Sequence, residues 1–177
     1  MNTPKYIIVH CSDVSYKTSK DQLSSINQYH RDVREFPVSS LGMYVGYHRL
    51  ITGGRNVQCR LDSDEGAHCN QKLDGLTMNL QSLGVCIAFD GDVEYPSQND
   101  AVLLRDQIWQ WQDMYSIPNK NVLFHRDFAV EKTCPGKLIT RSWLENLIRR
   151  VPKPPLTVDS STVEKFLAIL RSLGIIK

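Results

Sequence analysis

Leu83-Gly-Val-Cys-Ile-Ala-Phe89 is the most apolar stretch of the chain, and it predicts a buried strand at the centre of a sheet. Apolar runs over residues 5–11 and 121–124 predict two further strands. Between them, Tyr47-His-Arg-Leu-Ile-Thr52 and Arg55-Asn-Val-Gln-Cys-Arg60 flank Gly53-Gly54, which is the pattern of a β-hairpin. These segments supply the strands of the predicted sheet.

The segments between these strands show the periodicity of helices. A 3.6-residue repeat of apolar side chains begins after Thr18 or Ser19, which we expect to cap the helix, and stops before Pro37. A second helix is predicted after a Ser97 cap, and a third over residues 138–150. Because strands alternate with helices, the chain predicts an α/β fold with a central mixed β-sheet flanked by helices.

Composition limits the class of protein. The chain has 177 residues, of which 41% are hydrophobic and 23% charged, as in a single globular domain. Its net charge of +2 is too small to favour a nucleic-acid partner. We find no signal peptide and no apolar run long enough to span a bilayer, so we expect no membrane insertion and a cytoplasmic location after synthesis. The five cysteines lack a framework spacing, and we expect reduced thiols.

The C-terminal part of the chain has a different character. Val151-Pro-Lys-Pro-Pro155 predicts a stiff linker, which divides a domain over residues 1–150 from a tail over residues 151–177. The tail contains an amphipathic helix over residues 160–173. Because an isolated helix of this length is marginal in water, we expect its apolar stripe to pack on the preceding domain, with docking to another molecule or to a second copy of the chain as the alternative. That stripe consists of Val163, Phe166, Leu167 and Leu170.

Two histidines and a cysteine stand where metal ligands are expected. His10 ends the apolar run Tyr6-Ile-Ile-Val9, and His125 directly follows residues 121–124. Cys134 comes nine positions later, before a Pro-Gly turn. A His-His-Cys set leaves the fourth tetrahedral position free for water, which is the arrangement of a catalytic zinc and not of a structural one.

Five motifs in one order resemble the type 2 N-acetylmuramoyl-L-alanine amidases, and in particular the small phage lysozyme-type amidases, which share their fold with the peptidoglycan-recognition proteins. The likeness covers about residues 5–150. The motifs are Ile8-Val-His10-Cys-Ser12, Val45-Gly-Tyr47-His-Arg-Leu-Ile51, Gly66-Ala-His68, Asn79-Leu-Gln-Ser-Leu-Gly-Val85 and His125 with Lys132-Thr-Cys134-Pro135.

The resemblance implies a role for each of these residues. It implies that zinc is bound by His10, His125 and Cys134, and that Tyr47 and Lys132 are catalytic. It also implies that His68 and Asn79 line the substrate groove. The implied reaction is hydrolysis of the amide between N-acetylmuramic acid and L-alanine in peptidoglycan. The likeness further suggests a monomeric endolysin, which acts on the cell wall after it is released.

Two features depart from the family pattern, and two alternative functions stay open. The segment 69–79 is longer than the compact form, and the tail has no counterpart in the smallest members. One alternative is a peptidoglycan-binding module without catalysis, although such relatives typically lack the cysteine ligand. The other is an intracellular muropeptide-recycling amidase, which tends to carry aspartate where this chain has Cys134.

Other polar residues have simpler explanations in the sequence. We expect His48 to be a packing residue, because period-2 geometry sends it to the opposite face from Tyr47. We expect His30 to be partly exposed or at the substrate rim. The acidic cluster at Asp62, Asp64 and Glu65 lacks calcium-loop spacing and predicts a solvated loop.

Overall fold

The computed structural model describes residues 1–19, 21–150 and 160–176. Its strands and helices follow the predicted alternation. In chain order they are β1 (Tyr6–Cys11), α1 (Leu23–Asp32), β2 (Arg49–Thr52), β3 (Arg55–Gln58), β4 (Lys72–Leu73), β5 (Leu76–Thr77), β6 (Ser82–Ile87), α2 (Gln98–Tyr115), β7 (Val122–Phe124), α3 (Arg141–Ile148) and α4 (Ser160–Ser172).

A five-stranded sheet in the order β3-β2-β6-β1-β7 forms the centre of the fold. Strands β2, β6, β1 and β7 are mutually parallel, and β3 is antiparallel at one edge. Every residue of β6 is buried, as the apolar stretch predicted, because β6 has neighbours on both sides and layers on both faces. The predicted α/β class with a central mixed sheet flanked by helices is confirmed.

The two faces of the sheet are covered by different elements. Ile7, Val9 and Cys11 of β1 join the larger core cluster, which includes apolar side chains of α2 and α3. Ile8 belongs to a separate cluster, and Ile26 of α1 belongs to a third. Because side chains alternate along a strand, His10 shares the face of Ile8 and points away from α2 and α3.

Helix α1 and the segment that follows β3 differ from the prediction, and α3 begins at Arg141 and not at residue 138. Helix α1 begins later than predicted, since Thr18 and Ser19 lie in a turn and the Leu23 N–H is instead bonded by the Asp21 carboxylate at 3.2 Å. Residues 62–77, a stretch rich in Gly, Asp and Asn, contain the short hairpin β4-β5, which was not predicted from the sequence. Asp74-Gly75 turns this hairpin with φ of 52° and 82°, a dipeptide signal that the sequence carries.

The tail helix α4 lies close to its predicted bounds, but its predicted apolar stripe is only partly covered. Val163 and Phe166 are 41% and 61% exposed, whereas Leu167 and Leu170 are half-buried. Full packing of this stripe on the preceding domain is therefore not what the structure shows. The predicted linker at residues 151–155 lies outside the described residues. Among the described helices, none has the length and apolar character needed to cross a bilayer.

Candidate metal centre and active site

Strand register brings His10 and His125 together. β1 and β7 are parallel neighbours, with Val9 paired to Phe124, so the residues that follow these two lie side by side at the carboxyl ends of the strands. His10 is the next residue of β1, and His125 begins a short 3-10 helix directly after β7. Their ring centroids are 4.6 Å apart. Sites at the carboxyl ends of parallel strands are common in α/β folds because side chains and loops from several strands converge there.

A buried loop carries Cys134 to the same place. The Arg126 guanidinium donates to the backbone carbonyls of Thr133, Gly136 and Ile139 at 2.9, 2.7 and 2.5 Å. The Arg126 backbone N–H donates to the Cys134 carbonyl at 3.0 Å. These bonds fold residues 133–139 back against the end of β7. Cys134 is consequently held 8% exposed beside the two histidines.

The three side chains form a compact donor set. One nitrogen of each histidine and the Cys134 sulfur all lie within 4.8 Å of one another. The Sγ atom of Cys134 is 3.7 Å from His10 Nδ1, and the Cys11 backbone N–H donates to it at 3.4 Å. Such a spacing fits three ligands around one tetrahedral ion, because zinc–ligand distances are about 2.0–2.3 Å.

Electrostatics favours the protonation states that bind metal. Hydrogen bonds from Cys11, His10 and His125 hold the pKa of Cys134 well below its usual value despite burial, which favours a thiolate. Burial lowers the pKa of His10, which favours the neutral imidazole. A thiolate and neutral imidazoles are the ligand forms that zinc requires, so the residues present fit the ion.

Tyr47 and Lys132 line the same cavity as this donor set. The Tyr47 ring centroid lies 5.0 Å from that of His10, although Tyr47 precedes β2 and does not start it as predicted. Burial raises the pKa of Tyr47 well above its usual value, so its phenol keeps a proton at neutral pH. Lys132 is exposed at the rim, two positions before Cys134. The structure therefore brings together all five residues predicted for metal binding and catalysis.

The donor set lies at the wall of an open cavity of about 490 Å³. Apolar side chains of Ile26, Tyr29 and Phe36 line its side near α1. Of the described residues lining it, Asp13 alone carries a carboxylate, which accepts a hydrogen bond from the Cys11 thiol at 2.8 Å. A second depression of about 470 Å³ shares Arg34, His68 and Lys132 with the first.

His68 and Asn79, predicted as groove residues, both line this second depression. His68 is only 7% exposed, and its Nδ1 atom lies 3.1 Å from His10 Nε2. The Asn79 carboxamide oxygen accepts the backbone N–H groups of His68 and Cys69 at 2.9 and 2.8 Å. Both side chains thus have protein partners close to the donor set.

The remaining polar residues have structural contacts. His48 is fully buried; its Nδ1 accepts the Gly84 N–H at 3.0 Å, in agreement with the predicted packing role. His30 was predicted to be partly exposed or at the substrate rim. It is only 7% exposed, and its Nδ1 accepts the Gly46 N–H at 3.1 Å, but its ring lines the cavity. Asp62 of the predicted solvated loop accepts from the Trp111 indole at 2.9 Å and pairs with Arg49 at 3.2 Å.

Sequence reasoning missed Arg126, Asp13 and Cys11 as site residues. Asp13 and Cys11 stand next to the His10 motif, so proximity in sequence was an available signal. Arg126 stands next to His125, but its three backbone acceptors depend on the path of the loop that follows.

Fold and site together define a candidate metal centre at the carboxyl ends of parallel strands in an α/β sheet. A family profile described as N-acetylmuramoyl-L-alanine amidase matches residues 1–137, and the chain belongs to this family. A search of curated protein sequences finds no match to the chain.

Solved structures share the fold at low identity. The N-acetylmuramoyl-L-alanine amidase LysC from Clostridium intestinale is 19% identical with a TM-score of 0.65, covering 82% of this chain and 85% of its own. PlyL is 20% identical with a TM-score of 0.61, covering 85% and 87%. Drosophila PGRP-LB, in a mutant bound to tracheal cytotoxin, is 22% identical with a TM-score of 0.60, covering 77% and 78%. Likeness at these identities concerns the fold.

Proposed function

We propose that the protein is a zinc-dependent N-acetylmuramoyl-L-alanine amidase, which hydrolyses the amide between N-acetylmuramic acid and L-alanine in peptidoglycan. The observation that carries the proposal is the buried set of His10, His125 and Cys134 beside Tyr47, in a chain of the amidase family. A protein that only recognises peptidoglycan does not need three metal ligands that leave the fourth coordination position of the ion open.

His10, His125 and Cys134 would hold the ion. When bound, zinc lowers the pKa of a water molecule and polarises a carbonyl oxygen, which are the two kinds of help that a poorly electrophilic amide needs. Two neutral imidazoles and one thiolate leave the centre with a formal charge of +1. The thiolate is buried, and the Cys11 N–H bonds to it, so the sulfur has a fixed position before substrate arrives.

Tyr47 and Lys132 would act on the substrate itself. The Tyr47 phenol keeps its proton at neutral pH, so it can donate a hydrogen bond to the carbonyl or pass a proton to the leaving nitrogen. The Lys132 ammonium is tethered close to Cys134 by the chain and lines both depressions. A cation there stabilises the negative charge that grows on the amide oxygen.

The cavity suits a muramoyl-peptide. Its volume of about 490 Å³ is in the range of small-molecule sites. Apolar side chains near α1 can cover a sugar or methyl surface, while Arg34 and Lys132 supply positive charge for peptide carboxylates. PGRP-LB, which has the same fold, has been solved with tracheal cytotoxin bound.

Product analysis tests the proposal. Purified protein is incubated with peptidoglycan and with a defined muramoyl-peptide, with zinc or with a chelator, and products are identified by mass spectrometry. We expect a new lactyl carboxyl group and a new L-alanine amino terminus, formed only with zinc. Binding to peptidoglycan without new termini would favour the recognition-module alternative and remove the enzymatic proposal.

The cellular role is the finer part of the proposal. We propose an endolysin that acts as a monomer on the intact wall after release from the cytoplasm, and not an enzyme that trims soluble muropeptides. Rates on intact walls and on soluble fragments separate the two roles. A marked preference for soluble fragments would contradict the endolysin role and leave the chemistry in place.

A further inference from the structure

His68 contacts the nitrogen of His10 that does not face Cys134. The Nδ1 atom of His10 lies 3.7 Å from the Cys134 sulfur, while its Nε2 atom lies 3.1 Å from His68 Nδ1. The two rings meet edge to face, with centroids 5.1 Å apart. Both rings are buried, at 1% and 7% exposure, so water competes little for this contact.

Two glycines make the space that holds the His68 ring. A Cβ atom on Gly84 would lie 2.6 Å from His68 Cγ, and one on Gly66 would lie 2.5 Å from His68 Cδ2. Gly84 stands within the central strand β6, and neither glycine has a left-handed φ. Steric room for the imidazole, and not backbone conformation, is therefore the physical requirement for glycine at both positions.

Hydrogen bonds also fix the backbone around His68. Asn79 accepts the N–H groups of His68 and Cys69, and the Ala67 N–H donates to the Gly46 carbonyl at 2.9 Å. His48 is not available for the same task, because its Nδ1 accepts from Gly84 and its Nε2 lies 3.1 Å from the Asp64 carbonyl.

We infer that His68 is a positioning residue for the metal centre, which accepts the Nε2–H of His10 on its own Nδ1. The inference rests on the proposed zinc site. An imidazole that coordinates through Nδ1 carries its hydrogen on Nε2, and an acceptor there fixes both the tautomer and the ring orientation. His68 then carries its own hydrogen on Nε2, for which the described residues offer no acceptor.

Zinc affinity of the whole chain, measured by competition with a chromophoric chelator, tests the inference. His68→Ala should weaken zinc binding by about 10–100-fold, the usual effect of losing a partner of a metal ligand. His68→Asn should recover most of the affinity, because its carboxamide oxygen can take the place of Nδ1. Gly84→Ala should act like His68→Ala, since it displaces the ring without removing any ligand.

His48→Asn is the matched control. It alters a neighbouring buried imidazole but keeps an acceptor for the Gly84 N–H, so it should lower stability and leave zinc affinity unchanged. Nitrogen-15 NMR of the zinc-loaded wild type gives a second readout, in which we expect hydrogen on His10 Nε2 and none on His68 Nδ1. This readout decides the matter if the His68 variants do not fold.

Two results would overturn the inference: unchanged zinc affinity in folded His68→Ala and Gly84→Ala, or a protonated His68 Nδ1 in the zinc-loaded protein. Neither measurement uses substrate. A protein whose zinc affinity depends on His68 but which cleaves no amide would remove the proposed function alone. Amide cleavage by a protein whose zinc affinity is indifferent to His68 would remove this inference alone.

Discussion

At the scale of single residues, Cys134 combines two properties that seldom occur together. It is almost fully buried, which by itself disfavours a thiolate, yet surrounding donors hold its pKa well below the usual value. A buried anion of this kind is stable only with close positive or hydrogen-bonding partners. The arrangement is therefore suited to a cation at the centre of the donor set.

Cys134→Ser tests the ligand role of the sulfur. A serine hydroxyl stays protonated at neutral pH where a metal-bound thiol does not, so zinc affinity should fall severely. Zinc content after dialysis is the measurement, with Cys59→Ser as a control, because Cys59 is buried outside the donor set and its thiol donates to the Val57 carbonyl at 3.6 Å. Stoichiometric zinc and full activity in Cys134→Ser would contradict the assignment.

Tyr47→Phe and Lys132→Ala separate chemistry from metal binding. Both side chains line the cavity without belonging to the donor set, so both variants should keep zinc. Each should lose on the order of 10²-fold or more in turnover, as when one transition-state donor is removed. Rates on a muramoyl-peptide and zinc content are measured together. Loss of metal, or normal hydrolysis, would show that the role of that residue is different.

At the scale of elements, the Arg126 side chain fixes the path of the segment that follows β7. Arg126 bonds to three backbone carbonyls of residues 133–139 and also lies over the Phe124 ring, with its guanidinium carbon 4.4 Å from the centroid. These contacts hold the backbone of residues 133–139 in place, although this loop has no regular secondary structure. Because Cys134 belongs to this segment, the same bonds fix its position.

Arg126→Met should loosen this loop while keeping most of the side-chain volume. We expect the free energy of unfolding to fall by about 1.5–3 kcal/mol, the range for hydrogen bonds to charged groups. Zinc affinity should fall by about 10-fold as the loop loses its fixed geometry. Urea unfolding and zinc competition are the measurements, with the exposed Arg149→Met as control. Equal zinc affinity in both variants would show that other contacts position Cys134.

Helix α4 is an element with several exposed apolar side chains, among them Val163, Phe166 and Ile169. Truncation after Arg150 should therefore leave both the melting temperature and turnover on soluble muramoyl-peptide unchanged. Thermal unfolding and a rate assay on the truncated chain check this expectation. A lower melting temperature would instead show that the stripe of Val163, Phe166, Leu167 and Leu170 packs on the domain in solution, as the sequence had suggested.

At the scale of the whole molecule, buried neutral histidines make the stability of the fold depend on pH. Burial lowers the pKa of His48 and of His30 from 6.5 to about 4 in the folded protein. The unfolded chain therefore binds more protons than the folded chain between these values. Stability from these groups is present above about pH 6.5 and is lost as pH falls toward 4.

We expect the free energy of unfolding of the metal-free protein to fall across this window by up to about 1.4 kcal/mol per pH unit for each such histidine. Urea unfolding at a series of pH values measures the slope. In His48→Asn the slope should be smaller, because one of the titrating groups is gone. An unchanged slope in that variant would show that His48 does not carry this dependence.

Much of the site was predictable from the sequence because its residues lie next to recognisable elements. His10 and His125 each follow an apolar run, and parallel strands must end at the same edge of a sheet. Lys132 and Cys134 share one short segment, so their proximity required no knowledge of the fold. The candidate donor set follows from such local patterns, and the family follows from the order of the motifs, whereas the strand order β3-β2-β6-β1-β7 was not predicted.

Tertiary structure alone decided which side chains support these residues. The contact between His68 and His10 joins residues 58 positions apart, and its geometry depends on the room left by Gly66 and Gly84. The three bonds of Arg126 depend equally on the path of the following loop. Local sequence determines which element a residue belongs to, because propensity and periodicity act over a few neighbours. Distances of a few ångströms between distant side chains depend on how all the elements pack.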